Sequence, residues 1–239
     1  MILSCRGLSK SFGTQSVLEN VNLSVKDGDF LAVLGRSGCG KTTLLQLLGG
    51  FVKPDAGEVL LDARPLTAPG KDAWMVFQDF RQLFPWLTLS RNILYALKKA
   101  RPGLDPKEAR ALALRCLDEM GLRDAADKYP RQLSGGMAQR GAFARAMAIA
   151  PKVLLLDEPF SSLDVYSRKH ARDALVKLRD ATGAAVVFVT HDVSEAVALA
   201  PRIALMTQKS RGIRAMIENE GGHTAATLAD LLMESHDIP

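Results

Sequence analysis

Two stretches of this chain combine residue types that handle phosphate. Gly35-Arg36-Ser37-Gly38-Cys39-Gly40-Lys41-Thr42 places four arbitrary residues between a glycine and Gly-Lys-Thr, and the apolar helical pattern Leu44, Leu45, Leu47, Leu48 follows it. Such glycines let the main chain curl so that consecutive N–H groups converge, and the N-terminus of the next helix adds partial positive charge. Lys41 can then reach the β- and γ-phosphates of a nucleoside triphosphate, and Thr42 offers a hydroxyl to Mg²⁺. Thr43 can bond either the α-phosphate end or its own helix backbone. Further along, Val153-Leu154-Leu155-Leu156 runs into Asp157-Glu158. The C-terminal end of a buried strand is where α/β sheets place ligands. Asp157 there suits Mg²⁺ held through water, and Glu158 suits polarisation of a water that attacks the γ-phosphate. An acidic pair after a strand is ordinarily a solvated loop; the phosphate loop gives this one its meaning. Cys39 is expected to be a freely variable loop position and not a nucleophile, its thiol partly exposed and open to alkylation.

These groups need a scaffold that brings strand ends together. Val17–Val25 alternates apolar and polar residues as a half-buried strand does, Lys26-Asp27-Gly28-Asp29 marks a turn, and Phe30–Leu34 reads as a buried strand. Short apolar runs at Trp74–Phe77, Val153–Leu156 and Ala185–Val189 alternate with helical patterns, which predicts an α/β fold around a mainly parallel sheet. Between Pro85 and Pro151 strand signals give way to helix signals. The clearest helix starts with Asp105 as cap and Pro106 in its first turn, lines Ala109, Leu112, Ala113, Cys116, Leu117 and Met120 on one face, and stops at Gly121. The expected division is a sheet core over 1–84 and 152–210, an inserted helical subdomain over 85–151 and a short tail over 211–239, with an amphipathic helix at Thr224–Met233.

Composition narrows the function classes. With 239 residues, 47% hydrophobic and 24% charged, the chain suits one sizeable folded core and neither disorder nor a fibrous repeat. Its formal charge of +5 comes from 31 basic and 26 acidic residues spread along the chain, with aromatics at 6%, so no nucleic-acid stripe is visible. No apolar run approaches the roughly 18 residues of a membrane span. The opening Met1–Arg6 is too short for a secretory leader, and Cys5, Cys39 and Cys116 form no CxxC, so reduced thiols and a cytosolic chain are expected.

Leu133-Ser134-Gly135-Gly136-Met137, followed by a helical stretch and lying upstream of Asp157-Glu158-Pro159, resembles the signature of the ATPase subunit of ATP-binding cassette (ABC) transporters. The likeness extends over nearly the whole chain. It implies a P-loop NTPase core with an antiparallel β element and an inserted helical subdomain. It also implies that Ser134, Gly135 and Gly136 touch the γ-phosphate bound by an opposing subunit, so that two ATP molecules are sandwiched head to tail. Phe12 stands where the family stacks an aromatic on adenine, or else it is a core aromatic. Gln78 resembles the glutamine that touches Mg²⁺ and the attacking water. Ser161-Ser162-Leu163-Asp164 resembles the D-loop that crosses the dimer, and His191 the switch histidine on the γ-phosphate. His170, His223 and His236 match nothing and read as surface residues. Met137 replaces the usual glutamine, Gly141-Ala142-Phe143 is an unusual helix start, and Pro201 stands where Asp is common.

Val76-Phe77-Gln78-Asp79-Phe80, Leu83-Phe84-Pro85-Trp86-Leu87-Thr88 and Asn92-Ile93 resemble the importer branch for nitrate, sulfonates, taurine and related solutes. Phe80, Leu83, Phe84 and Trp86 would face the permease, although Leu83 and Phe84 equally suit the helical subdomain's own core. The resemblance thus implies an ATPase using ATP and Mg²⁺, paired with a second ABC ATPase subunit, either a second copy of this chain or a different one, and docked on a transmembrane permease. An external solute-binding protein acts indirectly, and the chain sits at the cytoplasmic face of the cell membrane. A soluble ABC ATPase acting on nucleic acid or the ribosome is the alternative, though coiled-coil insertions and basic arms are lacking. A GTPase or small kinase would leave the Leu133–Met137 segment unexplained.

Overall fold

Leu3, Cys5 and Leu8 are buried on β1 (Leu3–Phe12), whose remaining residues are wetter, and the strand pairs antiparallel with β2 (Gln15–Val25). After the turn, Phe30–Gly35 is buried at every position and forms β3. In the computed structural model, which describes residues 1–78, 82–219 and Leu228, two sheets follow from these strands. The smaller has the order β2-β1-β4-β5, with β4 at Ala56–Leu61 and β5 at Arg64–Pro65, and is antiparallel throughout. The larger has the order β10-β9-β3-β8-β7-β6. Its members are β6 (Ala73–Val76), β7 (Val153–Asp157), β8 (Ala185–Thr190), β9 (Arg202–Thr207) and β10 (Gly212–Glu218).

Strands β7, β8, β3 and β9 run parallel in that order. β3, β7 and β8 are buried at every residue, as strands covered on both faces must be, hence their unbroken Val, Leu and Ala runs. Phe30 and Phe188 meet edge to face at 5.5 Å across β3 and β8. Parallel pairing puts the ends of β3, β7 and β8 on one edge, which brings the phosphate loop, Asp157 and His191 to the same rim.

The contacts separate into two compact units. The first comprises Met1–Met75, Val153–Glu158 and the described residues of Ala185–Pro239, and holds both sheets with helices α1 (Lys41–Leu48) and α6 (Val193–Leu199). The second comprises Val76–Lys152 and Pro159–Ala184 and holds α2 (Leu89–Ala100), α3 (Pro106–Glu119), α4 (Gly135–Ile149) and α5 (Val165–Thr182). The expected division kept 152–210 with the sheet core. The contacts group Pro159–Ala184 with the helices instead, because α5 packs along α4. In α3 the Asp105 carboxylate accepts from the N–H groups of Lys107 and Glu108, and Pro106 occupies the first turn. Residues from 211, expected as a tail, supply β10, which pairs antiparallel with β9. Its half-buried residues alternate with exposed ones, so too short an apolar signal reaches the sequence. Apart from Leu228, which is helical and buried, the helix expected at Thr224–Met233 lies outside the described residues.

Candidate functional site

β3 hands the chain directly into the phosphate loop, and two glycines there answer to specific neighbours. A Cβ on Gly35 would stand 2.6 Å from the Met206 carbonyl oxygen, since β3 and β9 run side by side at that point. Gly40 holds φ near +100°, the left-handed region that L side chains avoid, and starts α1. Lys41, 5% exposed, lies back along its own loop, its ammonium donating to Gly35 O at 2.8 Å and Arg36 O at 3.1 Å. Arg36, Ser37, Gly38 and Thr42 are exposed, and Thr43 is half-buried. Cys39 contradicts expectation. It is 2% exposed, a Cβ on Gly35 would lie 2.7 Å from its Sγ, and burial raises its thiol pKa against the opposing pull of Lys41.

The acidic pair converges on this loop. Thr42 Oγ1 donates to Asp157 Oδ1 at 3.0 Å, and Lys41 Nζ stands 3.7 Å from Glu158 Oε1. Burial pushes the Asp157 carboxyl above the ordinary carboxylate range, the Thr42 bond opposing it and the Glu158 charge adding to it. Glu158 holds φ +42°, a conformation that costs a non-glycine residue about 1–3 kcal/mol and persists only where its surroundings enforce it. Here its N–H is fixed on Val189 O at 3.1 Å. Its other oxygen lies 3.3 Å from Nδ1 of the half-exposed His191. The residues on either side of His191 are tied together: the hydroxyl of Thr190 donates to buried Glu195 at 2.7 Å and accepts from Asp192 N–H at 3.1 Å. Asp192 caps α6. Thus Lys41, Thr42, Asp157, Glu158 and His191 form one connected cluster in the first unit.

Phe12 ends β1 with 51% of its surface exposed and the Lys10 ammonium 5.5 Å from its ring centroid, so it is no core aromatic. Among the described residues no three His, Cys, Asp or Glu side chains cluster as ligands for a resident metal. A lone carboxylate beside a hydroxyl fits Mg²⁺, which keeps waters and completes its shell with substrate phosphates.

The remaining predicted residues belong to the second unit. Gln78, exposed, donates from Nε2 to Ser161 Oγ at 3.4 Å. Leu163 is buried while Asp164 is exposed and caps α5, accepting from the N–H groups of Tyr166 and Ser167 at 3.0 Å each. Exposed Ser134 caps α4 by accepting from Met137 N–H at 3.3 Å. The first intrahelical bond is Ala138 N to Ser134 O, so the N–H groups of Gly135 and Gly136 precede the helical ladder and point out of its end. Gly136 is buried, and a Cβ on it would stand 2.9 Å from both Cβ and Oγ of Ser167 on α5. Absence of a side chain at Gly136 therefore serves helix packing.

A family model described as ABC transporter matches residues 18–161. The nitrate import ATP-binding protein NrtD of Synechococcus elongatus is 45% identical over 195 residues, 82% of this chain and 71% of that protein. The bicarbonate transport ATP-binding protein CmpD of a Synechocystis strain is 44% identical over 195 residues, 82% of this chain and 69% of that protein. Among solved structures, a dimeric post-hydrolysis state of the ATP-binding cassette MJ0796 bound to ADP and Pi superposes with TM-score 0.80 at 33% identity, covering 92% of this chain and all of that one. The chain belongs to the ABC transporter family.

In this ABC chain a residue of α2 pins the segment from Phe84 to Thr88. Asn92, wholly buried on α2, accepts from Phe84 N–H at 2.7 Å and donates to the carbonyls of Phe84, Leu87 and Thr88. Leu83 is 1% exposed and belongs to the core. Phe84 is half-buried and packs its ring 5.4 Å from that of Trp86 and 5.0 Å from that of Tyr95, the latter two being 69% and 46% exposed. Phe80 lies outside the described residues. Gly141 is explained by α2: a Cβ there would meet Leu89 Cδ1 at 2.7 Å. Sequence reasoning missed Tyr95 and the Thr190–Glu195 bond. Asp192 with Glu195 three residues later is a helix-start pattern that could have flagged the latter.

Proposed function

We propose that this chain is an ATP-hydrolysing cassette that binds ATP with Mg²⁺, closes on a second copy of itself and powers an importer of a small oxyanion. The observation that carries the reading is the connected cluster of Lys41, Thr42, Asp157, Glu158 and His191 at the rim of a parallel sheet. The names of the relatives, import proteins for nitrate and bicarbonate, favour a solute of that class and give no support to a role on nucleic acid.

In this reading the main-chain N–H groups from Gly35 to Thr43 cradle the phosphates and Lys41 exchanges its loop carbonyls for β- and γ-phosphate oxygens. Phe12 stacks on the adenine. Thr42, Asp157 and Gln78 would hold Mg²⁺, which neutralises charge on the phosphate tail. Glu158 accepts a hydrogen bond from the water that attacks the γ-phosphorus, and the bond to the β-phosphate oxygen breaks to give ADP and phosphate. His191, beside Glu158, holds the γ-phosphate. Ser134, Gly135 and Gly136 of the second copy close the site with N–H groups and a hydroxyl, and Asp164 with its D-loop crosses to the partner. Phe84, Trp86 and Tyr95 offer the apolar surface for a cytoplasmic part of the permease, with an external binding protein delivering solute on the far side. Peripheral attachment at the inner membrane face follows; no helix among the described residues is long and apolar enough to span a membrane.

Phosphate release from ATP by the purified chain tests this directly. Turnover that needs Mg²⁺ is expected; no turnover, or equal turnover in excess EDTA, would contradict it.

A further inference from the structure

One buried cation is left without a task by the chemistry above. Arg145 sits two-thirds of the way along α4 with 7% of its surface exposed. Its Nη1 donates to the main-chain carbonyl of Gln82 at 3.0 Å. Gln82 in turn closes on the residue before Gln78. Its Oε1 accepts from Phe77 N–H at 3.3 Å, and its Nε2 donates to Phe77 O at 3.4 Å. From the other side, Gln78 reaches Ser161. Every member of this series lies in the second unit. Burial pulls the Arg145 guanidinium down to about 10, so it stays cationic at neutral pH, and a desolvated cation bonded to a carbonyl holds its acceptor more firmly than a neutral donor would.

We propose that Arg145 is a positioning residue that sets Gln78 from the signature helix, acting through the Gln82 carbonyl and the Gln82 clasp on Phe77. Ser134 lies eleven residues earlier on the same helix, about 16 Å away along its axis. A shift of α4 is therefore passed to the backbone beside Gln78 by a continuous series of hydrogen bonds, each of which can be removed singly. The inference rests on the ATPase reading, in which Gln78 acts on Mg²⁺ and the attacking water.

The test is steady-state ATP hydrolysis with melting temperatures for the wild-type chain, Gln82→Ala, Arg145→Lys and the double variant. Gln82→Ala keeps the acceptor carbonyl of Arg145 and removes only the clasp. It should lower kcat about five- to tenfold with KM for ATP within about twofold and Tm within about 2 °C of wild type. Arg145→Lys keeps the charge but loses the planar fork and should behave alike, and the double variant should be no slower than the slower single one, since both act in series. Unchanged kcat in Gln82→Ala, or losses that multiply in the double variant, would overturn the inference. If Arg145→Lys does not fold, Gln82→Ala alone decides. A wild-type chain that hydrolyses no ATP would bring down the ATPase reading itself, a result separate from any difference among variants.

Discussion

The phosphate loop and the signature segment are both glycine-rich starts of helices, yet they differ in how completely they are wired. Around the phosphate loop, Lys41 is buried against two carbonyls and a carboxylate, Thr42 is bonded to Asp157, and Glu158 is held in a left-handed conformation by Val189. At the signature, Ser134 is exposed and spends its hydroxyl on one N–H, and those of Gly135 and Gly136 lead the helix without a ladder partner. The first region is preorganised within one chain. The second is, in the proposed reading, half of an interface, and Gly136 is set by Ser167 on α5.

The contrast can be broken at its strong end first. Lys41→Ala should reduce ATP turnover by about 10²–10³-fold, because it deletes the cation to which the proposed reading gives the phosphate charge. Hydrolysis within a few-fold of wild type would remove the phosphate assignment. Gly136→Ala attacks the other region. The added methyl meets Ser167, which should cost about 1–3 kcal/mol in a denaturant titration and weaken nucleotide-dependent dimerisation, while a fluorescent ATP analogue binds the monomer as before. Ser167→Gly in the same chain should recover the loss, and failure to do so would mean that packing on α5 is not what Gly136 serves.

The smallest effect concerns Asp157. Its folded-state pKa is raised chiefly by burial, so its stabilising contribution is full below the unfolded pKa and is lost as pH rises through the folded value; at neutral pH the charge works against folding. Asp157→Asn, still able to accept from Thr42, should therefore raise Tm slightly at pH 7 while removing the Mg²⁺ dependence of nucleotide binding. A lower Tm would show that the carboxylate stabilises the rim instead.

What the sequence disclosed was mostly local. Asp105 and Pro106 announce α3, buried runs announce β3, β7 and β8, and the two phosphate motifs are contiguous in the chain, so spacing alone reveals them. What it hid depends on distant partners. Gly35 is forced by the Met206 carbonyl where β3 lies beside β9, Gly136 is forced by Ser167 on another helix, and β10 is a half-wetted edge strand defined by its pairing with β9. The Arg145 bond to Gln82 spans 63 residues and ends on a main-chain carbonyl, a group that carries no residue type. Phe12 was open between two readings, and its exposure decided against the core.

The central claim is that one copy's phosphate site is completed by the signature of another. Glu158→Gln removes the carboxylate charge that the proposed reading assigns to the attacking water while leaving the loop and Lys41 intact, so bound ATP should persist. Light scattering on the eluting protein should give 25.9 kDa without nucleotide and roughly twice that with ATP and Mg²⁺, the larger species vanishing when Gly136→Ala is added. A Glu158→Gln chain that binds ATP yet stays at the monomer mass would contradict the account.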